Sequence, residues 1–238
     1  MKKHLIALGL VAAFGQAQAV DLFNNGAAVA GTPPISVIRT GGTTFGAGAQ
    51  ATATNIVADN FSVTGPGWNV QNLSFFAYQS FAASQYTFTG VNWSIISGDV
   101  NTGTVVASGT GATPTNGGLQ GYRVTATTLT NTDRAIFRLN VDVPDFNLAA
   151  GSYFLRWSML GSAASGPWQP PTADGAFGNA FQSTATSGGF VGIVDAGDTF
   201  GVELPFIIQG SVIPEPGTWA LMLAGGLAVV GAARRRKA

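Results

Sequence analysis

The sequence predicts an all-β protein: an antiparallel β-sandwich, jelly-roll-like, with a cleaved N-terminal signal peptide before it and one C-terminal transmembrane helix after it. Three observations carry that expectation. Between residues 20 and 213 apolar residues recur at every second position in run after run, the period of a half-buried strand. Gly, Pro and Asn clusters punctuate the runs. No segment in that stretch carries a helical repeat of ten or more residues, and many short strands with such turns point to a sandwich.

In chain order, Ala27 to Thr54 is rich in Gly, Ala and Thr and reads as a loose leading strand with a long loop. Strands are predicted at Asn55 to Val63, Trp68 to Tyr78, Tyr86 to Ser97 and Thr104 to Ser108. Tyr122, Val124 and Ala126 alternate against Arg123, Thr125 and Thr127. Ala135, Phe137, Leu139, Val141 and Val143 alternate against Arg138, Asn140 and Asp142, and Tyr153, Leu155, Trp157 and Met159 repeat the pattern. Two shorter strands are expected at Gly189 to Val194 and Glu203 to Gln209. The phase slips from Phe88 to Val91 at Gly90, and again from Val70 to Leu73, as a β-bulge would require. Turns are expected at Gly65-Pro66-Gly67, Asn116-Gly117-Gly118, Val143-Pro144-Asp145 and Pro170-Pro171.

The two ends differ from the middle. Met1-Lys2-Lys3-His4 precedes the apolar run Leu5 to Phe14, and Ala17-Gln18-Ala19 gives the small-x-small pattern read by signal peptidase. Ten apolar residues rise only about 15 Å as a helix, too short for a core of about 30 Å. Residues 1–19 are therefore predicted to be a signal peptide cut before Val20, and residues 20–213 the exported domain. Residues 214–238 open with Pro214-Glu215-Pro216-Gly217, continue through the uncharged run 218–233, and end in Arg234-Arg235-Arg236-Lys237. That run rises about 24 Å as a helix, enough to span when Arg and Lys snorkel, and its cations hold the tail's end on the cytoplasmic side.

The order of Pro-Glu-Pro, an apolar run beginning Thr218-Trp219-Ala220-Leu221-Met222-Leu223-Ala224-Gly225, and a terminal arginine cluster resembles the PEP-CTERM sorting signal. The resemblance covers about the last 25 residues. It implies a Gram-negative, exopolysaccharide-producing host, processing of the tail by the membrane protease exosortase, and transient anchoring before release to the envelope or extracellular matrix. Within the domain, Ala58-Asp59-Asn60-Phe61, Gly67-Trp68 before Leu73-Ser74-Phe75-Phe76, and Ala150-Gly151-Ser152-Tyr153-Phe154-Leu155-Arg156-Trp157 resemble sandwich domains common in PEP-CTERM proteins. That likeness supports the fold and carries no activity.

The 238 residues include no Cys, and the one His, His4, lies in the signal peptide. Cysteine nucleophiles, imidazole-based triads and thiolate or imidazole metal sites are thereby excluded from residues 20–213. That stretch carries five Arg, no Lys, nine Asp and Glu203, a net charge of −5. The acidic balance disfavours nucleic acid and anionic lipid as partners. Carboxylate pairs exist at Asp142/Asp145 and Asp195/Asp198, but both fall at turns, where Asp bonds its own backbone. Asp195 and Asp198 are nonetheless retained as a weak calcium candidate, because loops offering several oxygens suit that ion. Trp68, Trp93 and Trp157 keep phase with core residues, whereas Trp168 lies in the loop Gly166-Pro167-Trp168-Gln169-Pro170-Pro171. Trp168 and Tyr78 are therefore the candidate sugar-stacking residues. No cofactor is predicted. The favoured function is a non-enzymatic envelope or matrix protein tied to exopolysaccharide or biofilm. The alternatives are a carbohydrate-binding module and, behind it, a carboxylate-based glycan hydrolase or lyase.

Overall fold

The computed structural model describes residues 19–82, 84–215 and 217. The residues of the predicted signal peptide before Ala19, including Ala17, lie outside that range, as do Pro216, the predicted helix 218–233 and the cluster Arg234, Arg235, Arg236 and Lys237. Among the described residues no helix is long and apolar enough to cross a membrane.

Fourteen strands form the domain: β1 (Val20–Asn24), β2 (Ile35–Val37), β3 (Ala47–Gly48), β4 (Ile56–Val63), β5 (Trp68–Ala77), β6 (Phe88–Ser97), β7 (Thr104–Ala112), β8 (Thr115–Val124), β9 (Ala135–Leu148), β10 (Gly151–Gly161), β11 (Trp168–Gln169), β12 (Phe181–Ser183), β13 (Val191–Gly192) and β14 (Phe206–Val212). One six-stranded sheet has the order β1-β14-β5-β9-β8-β2, and the other β13-β12-β4-β10-β6-β7, with β11 and β3 forming a small third sheet. Pairing is antiparallel except between β2 and β8, which run parallel. The protein is all-β, and its two large sheets enclose one core.

The alternation decides which side chains enter that core. Phe137, Leu139, Val141, Leu155 and Trp157 are all buried, as their phase requires. Aromatic contacts bind the sheets across the middle: Trp157 lies 5.5 Å from Phe75 and 5.7 Å from Phe206 between ring centroids. Both predicted phase slips are bulges. The β6–β10 register shifts between Phe88 and Gly90, and β5 shifts at Gln71 against both β9 and β14.

Two predicted turns are strand instead. Asn116-Gly117-Gly118 lies inside β8, which shifts register twice against β9 there, so the glycines serve bulges rather than a hairpin. The break between strands comes earlier, at Thr113-Pro114, where the chain passes from β7 in one sheet to β8 in the other. Val143-Pro144-Asp145 lies inside β9, where three residues bow out opposite the single Gln71, so proline's missing N–H costs no ladder bond. The segment Ala27 to Thr54 is not loose. It contributes β2, β3 and a 3-10 turn at Ala51–Ala53, and buries Ala28, Ile38, Ala47 and Ala49. Arg123, 3% exposed, ties it down by donating to the carbonyls of Val37, Thr44 and Phe45 and to Ser36 Oγ. Strands β1 and β12 carry no predicted counterpart, and of Gly189 to Val194 only β13 is regular.

The last strand runs past its predicted end at Gln209. β14 continues to Val212, and Ile213 N donates to Gly67 O at 2.9 Å, so the sandwich is hydrogen-bonded up to the residue before Pro214. Gly67 makes that close approach with φ at +110°, where a side chain would also strike Leu148 O. On β1, antiparallel to β14, Val20 pairs with Gly210. The start of the predicted mature chain and the start of the tail therefore leave the same pole of the sandwich on adjacent strands.

Candidate functional site

The predicted sites fall differently from expectation. Trp168 is part of β11, paired with Gly48 of β3, and is half-buried rather than standing on an open loop. Its indole N–H donates to Ser165 Oγ at 3.2 Å. Tyr78 is brought directly beside it, the two residues exchanging backbone hydrogen bonds at 3.0 and 2.9 Å, but Tyr78 is only 2% exposed. The pair is real as a contact; its phenol ring faces a buried cluster with Phe76 and Ile136 and offers no stacking surface. Trp68, Trp93 and Trp157 are core residues.

The carboxylates are likewise committed. Asp142 and Asp145 stand exposed on β9, the latter accepting from Gln71 Nε2 at 3.2 Å. Asp195 is buried and accepts backbone N–H groups from Thr43 (2.8 Å), Thr44 (2.9 Å) and Gly197 (2.8 Å). Burial by itself raises the Asp195 carboxyl, but these donors outweigh it and hold the group below the usual carboxylate range. Asp198 takes both forks of Arg39, which hold it low as well. Calcium coordination at Asp195 and Asp198 is thus corrected: their oxygens already face N–H donors and a guanidinium. Among the described residues no group of three or more metal-ligating side chains converges.

A different carboxyl pair, absent from the sequence reading, sits where β4 meets the chain entering β14. Asp59 is fully buried on the core face of β4, between Val57 and Phe61. Its Oδ1 accepts from Asn60 N at 2.9 Å, and its Oδ2 from Leu204 N at 2.9 Å and Asn25 Nδ2 at 3.1 Å. Asn25 Nδ2 also donates to Glu203 Oε1 at 2.7 Å, bridging the two acids. Burial, then the charge of Glu203, pushes the Asp59 carboxyl up to about 8. A polar residue in an apolar phase of β4 was the one sequence signal for this site; its partners lie 34 and 144 residues away.

Glu203 opens onto a cleft of about 550 Å³ whose walls include Asn25, Asn60, Ser62, Phe177 and Asn179. Phe177 stands at its mouth, 66% exposed, and Phe200, 49% exposed, packs against it with ring centroids 4.2 Å apart. The loops that carry them press together: Gly178 N and Ala180 N donate to Gly201 O and Val202 O. A side chain at Gly178 would collide with the Glu203 carboxylate, so glycine is required for this approach. Arg39 fixes the platform from behind. It grips Asp198, donates to Phe200 O at 2.9 Å and Gly201 O at 3.2 Å, and lies 5.2 and 5.9 Å from the two ring centroids.

Glu203, at one end of the cleft, lies about 20 Å from the tail, since β14 starts near it and its six steps lead to Val212, while Phe23 at the other end pairs with Ile208. At the tail itself, Pro214 and Glu215 follow at once on the hydrogen-bonded Ile213. No curated protein matches the chain in sequence. A family model for the PEP-CTERM protein-sorting motif matches residues 212–237, beginning on the last residue of β14. The chain is therefore a protein carrying the PEP-CTERM sorting motif, which marks it for export, envelope sorting and processing by exosortase.

Proposed function

We propose that the exported domain is a non-enzymatic component of the envelope or extracellular matrix of a Gram-negative bacterium, delivered through its tail and associated with exopolysaccharide or biofilm. One observation carries the reading: the sandwich is hydrogen-bonded up to Ile213, and the sorting motif follows without a spacer. Such a junction serves delivery of a folded domain. We read the order β1-β14-β5-β9 facing β4-β10-β6-β7 as the jelly-roll arrangement, with β8 and β2 added at one edge.

The non-enzymatic part rests on the carboxyls. A glycosidase needs two acids about 5–10 Å apart, both open to the scissile bond. Asp59 is fully buried, and the amide of Asn25 fills the space between it and Glu203. Incubating the mature protein with its host's exopolysaccharide should retain polymer with the protein in a pull-down while leaving polymer length unchanged. Shortened chains would overturn the non-enzymatic reading, and no retention would overturn the polysaccharide association. A carbohydrate-binding module is the second reading, favoured by the cleft beside Phe177.

A further inference from the structure

We propose that the cleft between Phe177 and Asn60 binds a neutral sugar unit of an extracellular polysaccharide, with Phe177, backed by Phe200, as stacking platform and Asn60, Asn179 and Glu203 as hydroxyl partners. The inference rests on the polysaccharide reading above and names its site and ligand class.

Three features of the cleft select this ligand. A pyranose presents a C–H face and a rim of hydroxyls, so its receptor needs an aromatic surface beside short polar side chains. Phe177 and Phe200 provide that surface. Two large rings this exposed are unusual on a domain whose other aromatics mostly pack inward, and Arg39 holds them in place through Asp198, Phe200 O and Gly201 O. A platform fixed before binding loses little entropy when a ligand stacks on it.

The polar wall is the second feature. Asn60 and Asn179 make no side-chain hydrogen bond to any described residue, so both amides are available as donor and acceptor. Glu203 is held by Asn25 at one oxygen and opens to the cleft.

Charge is the third. The nearest guanidinium, Arg39, is neutralised by Asp198, and the cleft wall contains Glu203 and no Lys or Arg. A uronate or a sulfated sugar would meet an uncompensated carboxylate, whereas a neutral sugar donates its hydroxyls to it.

The test uses the mature protein purified from its own cells, with that host's exopolysaccharide separated by anion exchange into neutral and acidic pools. Affinity electrophoresis should show retardation by the neutral pool. Phe177→Ala should weaken it about tenfold, and Asn60→Ala less, while Val105→Ala on β7, remote from the cleft, should leave it unchanged. Circular dichroism of each variant should match the parent, since Phe177 is mostly exposed. Neutral-pool binding untouched by Phe177→Ala would overturn the site. Binding of the acidic pool alone would overturn the ligand class and leave the polysaccharide reading standing. Binding of neither pool would overturn both.

Discussion

Asp59 and Asp195 are both shut away from water, at 0% and 2% exposure, and their surroundings drive them in opposite directions. Asp195 sits in a loop against Thr43 and Thr44, and their N–H groups and that of Gly197 converge on its carboxylate, so the ion is better solvated by protein than the burial alone would allow. Asp59 also accepts three N–H groups, but it stands on a strand inside an apolar face with a second acid beside it. Two things separate them: Asp59 is the more strongly desolvated, and it has Glu203 beside it through a shared amide, whereas the donors around Asp195 outweigh its burial. Low exposure alone does not set the charge of a carboxyl; burial is weighed against the local dipoles and charges.

The largest expected effect tests the apolar frame around Asp59. Leu155 lies directly across the β4–β10 ladder from it. Leu155→Ala should cost about 2–5 kcal/mol by cavity formation, measured by urea unfolding. A loss below about 1 kcal/mol would mean that this face is not the packed interior that isolates Asp59.

Asp195→Ala comes next. It strips the partners from the N–H groups of Thr43, Thr44 and Gly197 and should cost about 3 kcal/mol. Asp195→Asn, which keeps one acceptor oxygen, should cost less. Equal losses would show that a single neutral acceptor does not secure the loop.

The two acids also predict a pH profile. Asp195 is held low in the fold, so its contribution is present above the unfolded carboxylate pKa of about 4 and is lost as pH falls below it. Asp59 is held high, so the fold binds a proton that the unfolded chain has released, and stability declines as pH rises from about 4 toward 8. Stability should therefore peak in mild acid. Asp59→Asn should flatten the decline, raising stability relative to the parent at pH 8 and changing it little near pH 4. A variant with the parent's slope would assign the decline to other groups.

Much of the interior was legible because it depends on neighbours in sequence. The alternation from Ala135 to Val143 and from Tyr153 to Met159 placed the core, and the two phase slips, one of them at Gly90, placed both bulges. The sites were not legible, since each is built by topology. Asp195 meets Thr43 across 152 residues, and Asp59 meets Leu204 across 145. Local rules misled at Pro144 and at Asn116-Gly117-Gly118, where residues that ordinarily make turns instead fill bulges in long strands. Trp168 misled for the same reason: its loop-like prolines flank a strand that depends on β3, 120 residues earlier.

The smallest expected effect on stability belongs to the tail, and it bounds the region to which any of this applies. Residues 214–238 follow the last hydrogen-bonded residue, Ile213, and contribute no strand among the described residues. Deleting 218–238 should therefore leave unfolding within about 0.5 kcal/mol of the parent, with both carboxyl sites intact, while releasing the domain from membranes. Five steps from Ile213 to Thr218 span at most about 18 Å, so a membrane helix over 218–233 would hold the pole bearing Val20 and Gly67 close to the bilayer before cleavage. Pro214 and Pro216 lack amide donors and disfavour helix and sheet. Mass spectrometry of the mature protein from its host should then show both ends missing, with the new C-terminus near Pro214. Recovery of intact Arg234 to Ala238 on the dominant species would make the tail a permanent anchor. A marked loss of stability on deletion would show that the tail packs on the sandwich, and the boundary at Ile213 would have to move.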